Sequence, residues 1–592
     1  MNGLTITGEV RLDNRDELFR ALDVGPEERR RLTDLALILL AYERWGEACA
    51  EKLLGDFAFA IHDERTGRAF GARDHLGVKP FYYRVSEKGL AFATRASAIG
   101  EIDGLPLDLD DRRVADVCVP DLECVDLTST FYLGVYRLPP GHRLTFEAGR
   151  ASVAPYWRPD PSREIRLGSD EEYVEAFREI FTEAVRCRLS GKTASMLSGG
   201  LDSSAIVGFA RAILERDQGL QLTTVSAMTD EPGCEESRHI RAVLELPGLD
   251  PITLRPGDIE AYQGEFETFL KSMEEPFDSN MTIPLLSYSA ARRRGFRAVL
   301  DGVDGDIVAT LDPDILTGLL RNGNWGRAYR EARGFASFYR GVYAPWSSVG
   351  RLIALNACRA FVPRFVRTAA HPLQRRREVR DALARSFVSR ECAASTDVPG
   401  RLRGLFAIRD LYPSMTARER RAGELVHPQL CVALERYHRV AASQGIEARH
   451  PFLDKRVVEF CLALPWDQKV RDGWSKWIIR QATAGFLPDT VRFRRNRWLS
   501  LGWRFHSAFM AKSSAFLEGE LSRDMTALAP YADRARLREL NNRYVHGDAT
   551  AAETLWTAAV LSFWLRKMKF SRYDSSVATN GPAPLSHHAG TE

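Results

Sequence analysis

The stretch SMLSGGLDSSAIVGFA, residues 195–210, sets two glycines, an aspartate and two serines between an apolar run and a helical pattern. Ala194, Met196 and Leu197 end a short buried strand, and Ala205, Ile206, Phe209 and Ala210 recur at helical spacing, so the polar residues form a strand-to-helix turn. Gly199 and Gly200 let the backbone approach a ligand closely, the Ser203 and Ser204 hydroxyls add donors, and a helix N-terminus favours negative charge. Ser198, Gly199, Gly200, Leu201, Asp202, Ser203 and Ser204 are therefore expected to cradle phosphate. A carboxylate beside phosphate is repulsive unless a cation lies between them, which makes Asp202 a candidate Mg²⁺ ligand. A Walker-type loop would need lysine directly after the second glycine and a longer spacing.

Three further segments carry residue types with chemical use. LDGVDGD, residues 300–306, again ends an apolar strand with Gly302 and aspartates, and Asp306 is expected to share the Mg²⁺ with Asp202. QGIEARHPFLDKRVVEF contains Glu447 and Arg449, readable as a buried ion pair or as site residues. DGWSKWIIRQATAGFLP sets Lys476 among Trp474, Trp477 and Ile478, where a lysine either snorkels to the surface or supplies a fixed cation.

These segments need a scaffold. Residues 1–157 read as β-rich, with LLGDFAFAIHDE and GLAFAT at strand length and turns at RTGR and LPPGH; Tyr156, Trp157 and PDPSRE read as a linker. From residue 170 helices alternate with strands, which predicts a doubly wound parallel sheet with ligands at the carboxyl ends of its strands, continuing to residue 572 with extra helices beyond residue 310. The segment 359–387 is strongly basic, with a solvated helical face or an acidic partner as its readings. Residues 573–592 are small, polar and Pro-containing, and disorder is expected there.

Composition excludes several classes. The chain has 592 residues, 45% of them hydrophobic and 27% charged, with a net charge of +3 that gives no nucleic-acid footprint. Nine cysteines without a CxxC pair argue against zinc and a disulfide framework and for a reducing, cytoplasmic setting. No signal-like start and no uncharged apolar run of about 18 residues occurs, so no membrane partner is expected.

SGGLDSS resembles the signature of the ATP pyrophosphatases, which split ATP between its α- and β-phosphates. Taken in order, the loop, the DG-turn, GIEARHPFLD and GWSKWIIRQA resemble the asparagine synthetase family, as do LLGDFAFAIHDE and GARDHLGVKPFYY; GEVRLDNRDEL resembles its glutamine-site loop region. The resemblance implies an N-terminal nucleophile-type amidotransferase-like domain of mixed α and β structure over 1–157, followed by an ATP pyrophosphatase domain. It also implies ATP and Mg²⁺ as cofactors, Lys476 as a catalytic cation at the α-phosphate and reacting carboxylate, and Glu447 as a catalytic group that orients or deprotonates an amine.

The chain departs from the family at two places. Glutamine-using members begin Met-Cys-Gly, whereas this sequence begins Met1, Asn2, Gly3 and has no cysteine before Cys49, so glutaminase chemistry is not expected unless the start lies elsewhere. Where the family's asparagine-forming members carry acids in the DG-turn, this chain carries Val303 and Ile307. The members that close β-lactam rings or lasso-peptide macrolactams vary that turn too, so the expected reaction is ligation of a carboxylate to an amine of the same molecule. Lasso-peptide cyclisation would bring a precursor peptide and its processing protease as partners. The alternatives are asparagine synthesis with ammonia or glutamine, and a non-catalytic scaffold.

Overall fold

The computed structural model describes residues 3–577 apart from 190–191, 311–312, 340–346, 364–370, 411, 413–414, 496–500, 514–515, 517–518, 521–524 and 547. In the N-terminal part, β1 (Leu4–Leu12), β2 (Gly55–Asp63), β3 (Arg68–Arg73), β7 (His142–Glu147) and β8 (Arg150–Pro155) form one antiparallel sheet in that order. A smaller sheet runs β5 (Gly89–Ala93), β4 (Tyr82–Ser86), β6 (Tyr136–Arg137). Strand β2 shows why the part is layered: Phe57, Phe59 and Ile61 face a core shared with Leu37 and Ile38 of the helix Asp34–Trp45, while Ala58 and Ala60 face Phe81, Leu138 and Leu144. GEVRL, expected near a glutamine-site loop, is the second half of β1, held in register by β2 from Gly8 opposite Phe59 to Leu12 opposite Gly55.

The second part is built on a parallel sheet of β11 (Leu249–Leu254), β10 (Leu222–Ala227), β9 (Thr193–Met196), β12 (Ala298–Leu300) and β13 (Glu447–Arg449), in that spatial order. The first three strands step outward one way from β9 and the last two the other way, so the order reverses between β9 and β12. Connections leave that pair in opposite directions and open a crevice at its carboxyl end. All six residues of β10 are buried, as a strand covered on both faces requires. Helix α1 (Asp170–Arg186) packs Phe177 and Phe181 into the core on one face, and α2 (Leu201–Gln218) follows β9 directly.

Between β12 and β13 the chain inserts a helical region that includes α3 (Ile315–Arg321), α4 (Trp325–Phe338), α5 (Val349–Phe361) and α6 (Pro428–Ser443). Its helices α3 to α5 close a core of their own, in which Leu316, Leu320, Phe335 and Leu352 meet Val470. Val470–Arg471 (β14) and Trp474–Ser475 (β15) form a small antiparallel hairpin that leads into α7 (Trp477–Ala482).

The Tyr156–Trp157 segment is strapped down. Tyr156 donates to the Arg73 carbonyl at 2.7 Å, and the Trp157 indole donates to Glu459 at 2.9 Å. The final helix reaches Val577, five residues into the segment expected to be disordered, and residues 578–592 lie outside the described residues. Part of the basic segment, 364–370, also lies outside them. Among the described residues no helix is long and apolar enough to cross a membrane.

Candidate active site

The loop after β9 and the turn after β12 meet at the reversal of strand order. Gly199 has φ +69°, and a Cβ there would come within 2.7 Å of the Glu236 carbonyl oxygen. The Ser198 and Ser203 hydroxyls lie 2.9 Å apart, and the Ser198 N–H donates to Ser203 Oγ at 3.1 Å. Ser203 also donates to the Gly200 carbonyl at 3.3 Å, and Leu201 opens α2 at 5% exposure. Ser204 is buried, and its Oγ has no hydrogen-bond partner among the described residues. The two turns touch: a Cβ on Gly302 would meet Ser203 N at 2.8 Å, and one on Gly305 would meet Asp202 Cγ at 2.5 Å. Glycine at both positions is what lets the DG-turn lie against the loop.

Lys476 is brought to this junction from far along the chain. Its Nζ bonds Asp202 Oδ2 and lies 2.7 Å from Asp306 Oδ1. Burial works against the ammonium, yet Asp202 and Asp306 hold it above the ordinary lysine range. The same charge holds the Asp306 carboxyl below its usual range, although that side chain is 72% exposed. Burial pushes the Asp202 carboxyl up against the pull of Lys476, and its second oxygen, Oδ1, is buried without a partner.

The backbone that presents Lys476 is strained and braced. Lys476 has φ +56°, in the left-handed region where a side chain costs about 1–3 kcal/mol. Arg480 donates to the Ser475 carbonyl at 2.7 Å and lies 5.0 Å from the Trp474 ring centroid. Across the hairpin, Glu331 of α4 accepts from Gly473 N–H at 2.9 Å. A Cβ on Gly334 would fall 2.0 Å from the Asp472 carbonyl oxygen, so α4 and the hairpin touch backbone to backbone.

Asp304, one of the aspartates of LDGVDGD, and Arg494, which no motif marks, join the site. Asp304 sits at φ +61°, its Oδ2 is buried and unpartnered, and burial followed by the neighbouring Asp301 charge pushes its carboxyl up to about 7. Arg494 donates to the Gly199 carbonyl, and burial lowers its pKa. Its contact spans 295 residues, which no local pattern encodes. A non-glycine residue in a DG-rich turn was the one available hint for Asp304.

Glu447 is not brought to the loop. It opens β13 level with Ala298 and Thr193, at the strand starts, whereas the loop and turn leave the opposite ends. It accepts from Arg449 at 2.6 Å and lies 3.9 Å from Arg11. Burial would raise its pKa, but Lys79 and Arg449 lead the charges that hold it down. Val303 and Ile307 pack against the apolar core beside the site. Cys49 is fully buried, and burial pushes its thiol up to about 12, which is unsuited to a nucleophile at neutral pH.

A carboxylate pair and a buried lysine beside a glycine-rich loop, at the reversal of a parallel sheet, place the protein in the α/β class. Residues 176–566 match the family described as asparagine synthase, and residues 2–157 match the glutamine amidotransferase domain. The chain belongs to the asparagine synthase family, and is with it an ATP-dependent, amide-forming carbon–nitrogen ligase. Asparagine synthetase (glutamine-hydrolyzing) 3 of Bacillus subtilis is 24% identical over 542 residues, 90% of this chain and 81% of that protein. Asparagine synthetase (glutamine-hydrolyzing) 1 of the same organism is 22% identical over 484 residues, 78% of this chain and 70% of that protein. Amidase chry2 of Gibberella zeae is 32% identical over 298 residues, 46% of this chain and 42% of that protein.

Proposed function

We propose that this ligase cleaves ATP to AMP and pyrophosphate and joins the activated carboxylate to an amine of the same substrate, as in a macrolactam or peptide cyclisation. The observation that carries the reading is the pairing of the Ser198–Ser204 loop with a buried, doubly bridged Lys476, beside a DG-turn and following helix in which Val303 and Ile307 are apolar. A substrate carboxylate oxygen attacks the α-phosphorus and the bond to the β-phosphate breaks. The amine nitrogen then attacks the acyl carbon, AMP leaves, and the amine proton passes to a base or to water. Lys476 is a fixed cation where negative charge grows in both steps, a role worth a few kcal/mol in a preorganised site. Tethering both reactants makes the attack effectively unimolecular, so no ammonia supply is needed.

The site suits Mg²⁺. Asp202 Oδ1 is a buried orphan, Asp304 Oδ2 is another, and the donors are all hard carboxylate oxygens. Asp202 and Asp306 would hold the ion, which when bound offsets the charge of the leaving pyrophosphate. A peptide-like acid bearing an amine is the proposed substrate, with a precursor peptide and its protease as partners. Product analysis tests this: AMP and pyrophosphate should appear with an amine-bearing acid, and little asparagine from aspartate, ATP and ammonium. ADP and phosphate would refute the cleavage, and robust asparagine formation would favour asparagine synthesis instead.

A further inference from the structure

The helical insertion holds a cavity of about 520 Å³ remote in sequence from the phosphate loop. Four guanidinium groups, Arg321, Arg327, Arg359 and Arg420, face two carboxylates, Asp314 and Asp467. Both oxygens of Asp314 are taken, one by Arg359 and one by Arg420, so a carboxylate already shows how these arginines receive an acid. Among the described residues the other two cations have no such close match. Arg321 donates to the carbonyls of Arg359 and Ala360, and Arg327 stays 3.8 Å from Asp467 while lying 4.5 Å from the Trp466 ring centroid.

Beside these cations is an uncovered apolar surface. Trp325 and Phe361 stack at 5.5 Å with an interplanar angle of 8°, and each is 53% exposed. Asn324 and Arg359, one and two residues from them in sequence, line the cavity. Half-exposed, preordered aromatic rings next to surplus arginines are the composition of a binding surface rather than of a solvated helix face.

We propose that this cavity is a second binding site, for an acidic peptide segment whose carboxylates meet Arg321 and Arg327 and whose apolar side chains cover the Trp325–Phe361 pair. A peptide fits better than a nucleotide, because the arginines here already grip a carboxylate and the rings are stacked on each other instead of being parted to sandwich a base. The site also borders the machinery that presents Lys476. Arg327 shares α4 with Glu331 and Gly334, which brace the Asp472–Gly473 turn, and Trp466 stands on the short helix that runs into β14.

The test is fluorescence anisotropy on the full chain with a short labelled peptide alternating Glu and Phe, against its Lys and Phe counterpart. The acidic peptide should bind saturably and weaken as salt rises, and the basic one should not bind. Arg321→Gln/Arg327→Gln should weaken binding at least about tenfold, or about 1.4 kcal/mol. Trp325→Ser/Phe361→Ser, at exposed positions that do not threaten the fold, should weaken it as well. Asp202→Asn should leave it unchanged. Equal binding of both peptides, unaltered binding by both double variants, or displacement of the acidic peptide by AMP would overturn the proposal.

Discussion

Two of the buried charge clusters among the described residues are built on opposite terms. At the seam between its two parts, Glu435 of α6 is fully buried and accepts from Arg73 at 2.9 Å, Arg137 at 2.8 Å and Tyr82 at 2.7 Å. Burial would raise its pKa, but Arg137 and Arg73 hold it down at about 2. A second buried group, in which Arg188 bridges Asp454 at 2.7 Å and Asp13 at 3.1 Å, is less complete, because Arg188 Nε and Asp13 Oδ1 have no hydrogen-bond partner among the described residues. Asp13 and Asp454 also lie close to Cys187 as a potential metal-ligand group, but Arg188 bridges both acids, Arg11 bridges Asp13 and Arg456 bridges Asp454. At the Ser198–Ser204 loop, in contrast to Glu435, Asp202 and Asp304 each keep a buried oxygen without a partner among the described residues, and Asp304 and Lys476 both hold left-handed backbone. A saturated cluster fixes two domains together. An unsaturated, strained one is poised for a ligand, since unmet buried valence costs stability until something fills it.

That contrast can be broken in graded ways. Glu435→Gln should lower unfolding stability by about 3–5 kcal/mol, because it leaves buried arginines uncompensated, while folded protein keeps its turnover. Because the folded pKa of Glu435 is depressed, its contribution is present above pH about 4.5 and fades as pH falls toward 2. Urea unfolding at neutral and acid pH should therefore show the gap between wild type and variant closing in acid. Lys476→Ala should do the reverse, cutting kcat about 10²–10³-fold with a smaller change in the KM for ATP and a smaller loss of stability than Glu435→Gln, because one of its two acids, Asp306, is exposed.

Gly334→Ala tests the brace. A methyl driven against the Asp472 carbonyl should cost about 1–3 kcal/mol and displace the Lys476 hairpin, so that kcat falls although the substitution touches no ligand. Crystallography of the variant would show whether Lys476 still spans Asp202 and Asp306. Smallest of all, Asp304→Gly should raise the melting temperature slightly by relieving left-handed strain of about 1 kcal/mol, while removing an orphan oxygen from the site. A lower melting temperature would mean that Asp304 is structural.

The loop at Ser198–Ser204 and the DG-turn were legible because glycine, aspartate and the switch from strand to helix are local signals, and the doubly wound sheet followed from alternating elements. Lys476 was legible only through the order of motifs. Glu447 was read from the same kind of motif, but which end of a strand a residue occupies is set by register with distant partners, here Ala298 and through it Thr193. The Gly334–Asp472 contact, the Arg494 bond to Gly199 and the bonds of Arg73, Arg137 and Tyr82 to Glu435 each join residues far apart in sequence. No periodicity encodes such contacts. Tyr156 and Trp157 read as a linker because proline and polar residues follow them, whereas both rings meet His75 in T-shaped contacts, with centroids 5.5 and 5.3 Å apart.

The most direct test of the account is calorimetric titration of Mg²⁺–pyrophosphate into the wild-type chain, Asp202→Asn and Glu435→Gln, at a pH where all three are folded. The wild type should bind pyrophosphate in a Mg²⁺-dependent manner, Asp202→Asn at least about tenfold more weakly, and Glu435→Gln within about twofold of wild type. Binding that is indifferent to Mg²⁺, or equal in wild type and Asp202→Asn, would contradict a pyrophosphate site at this loop.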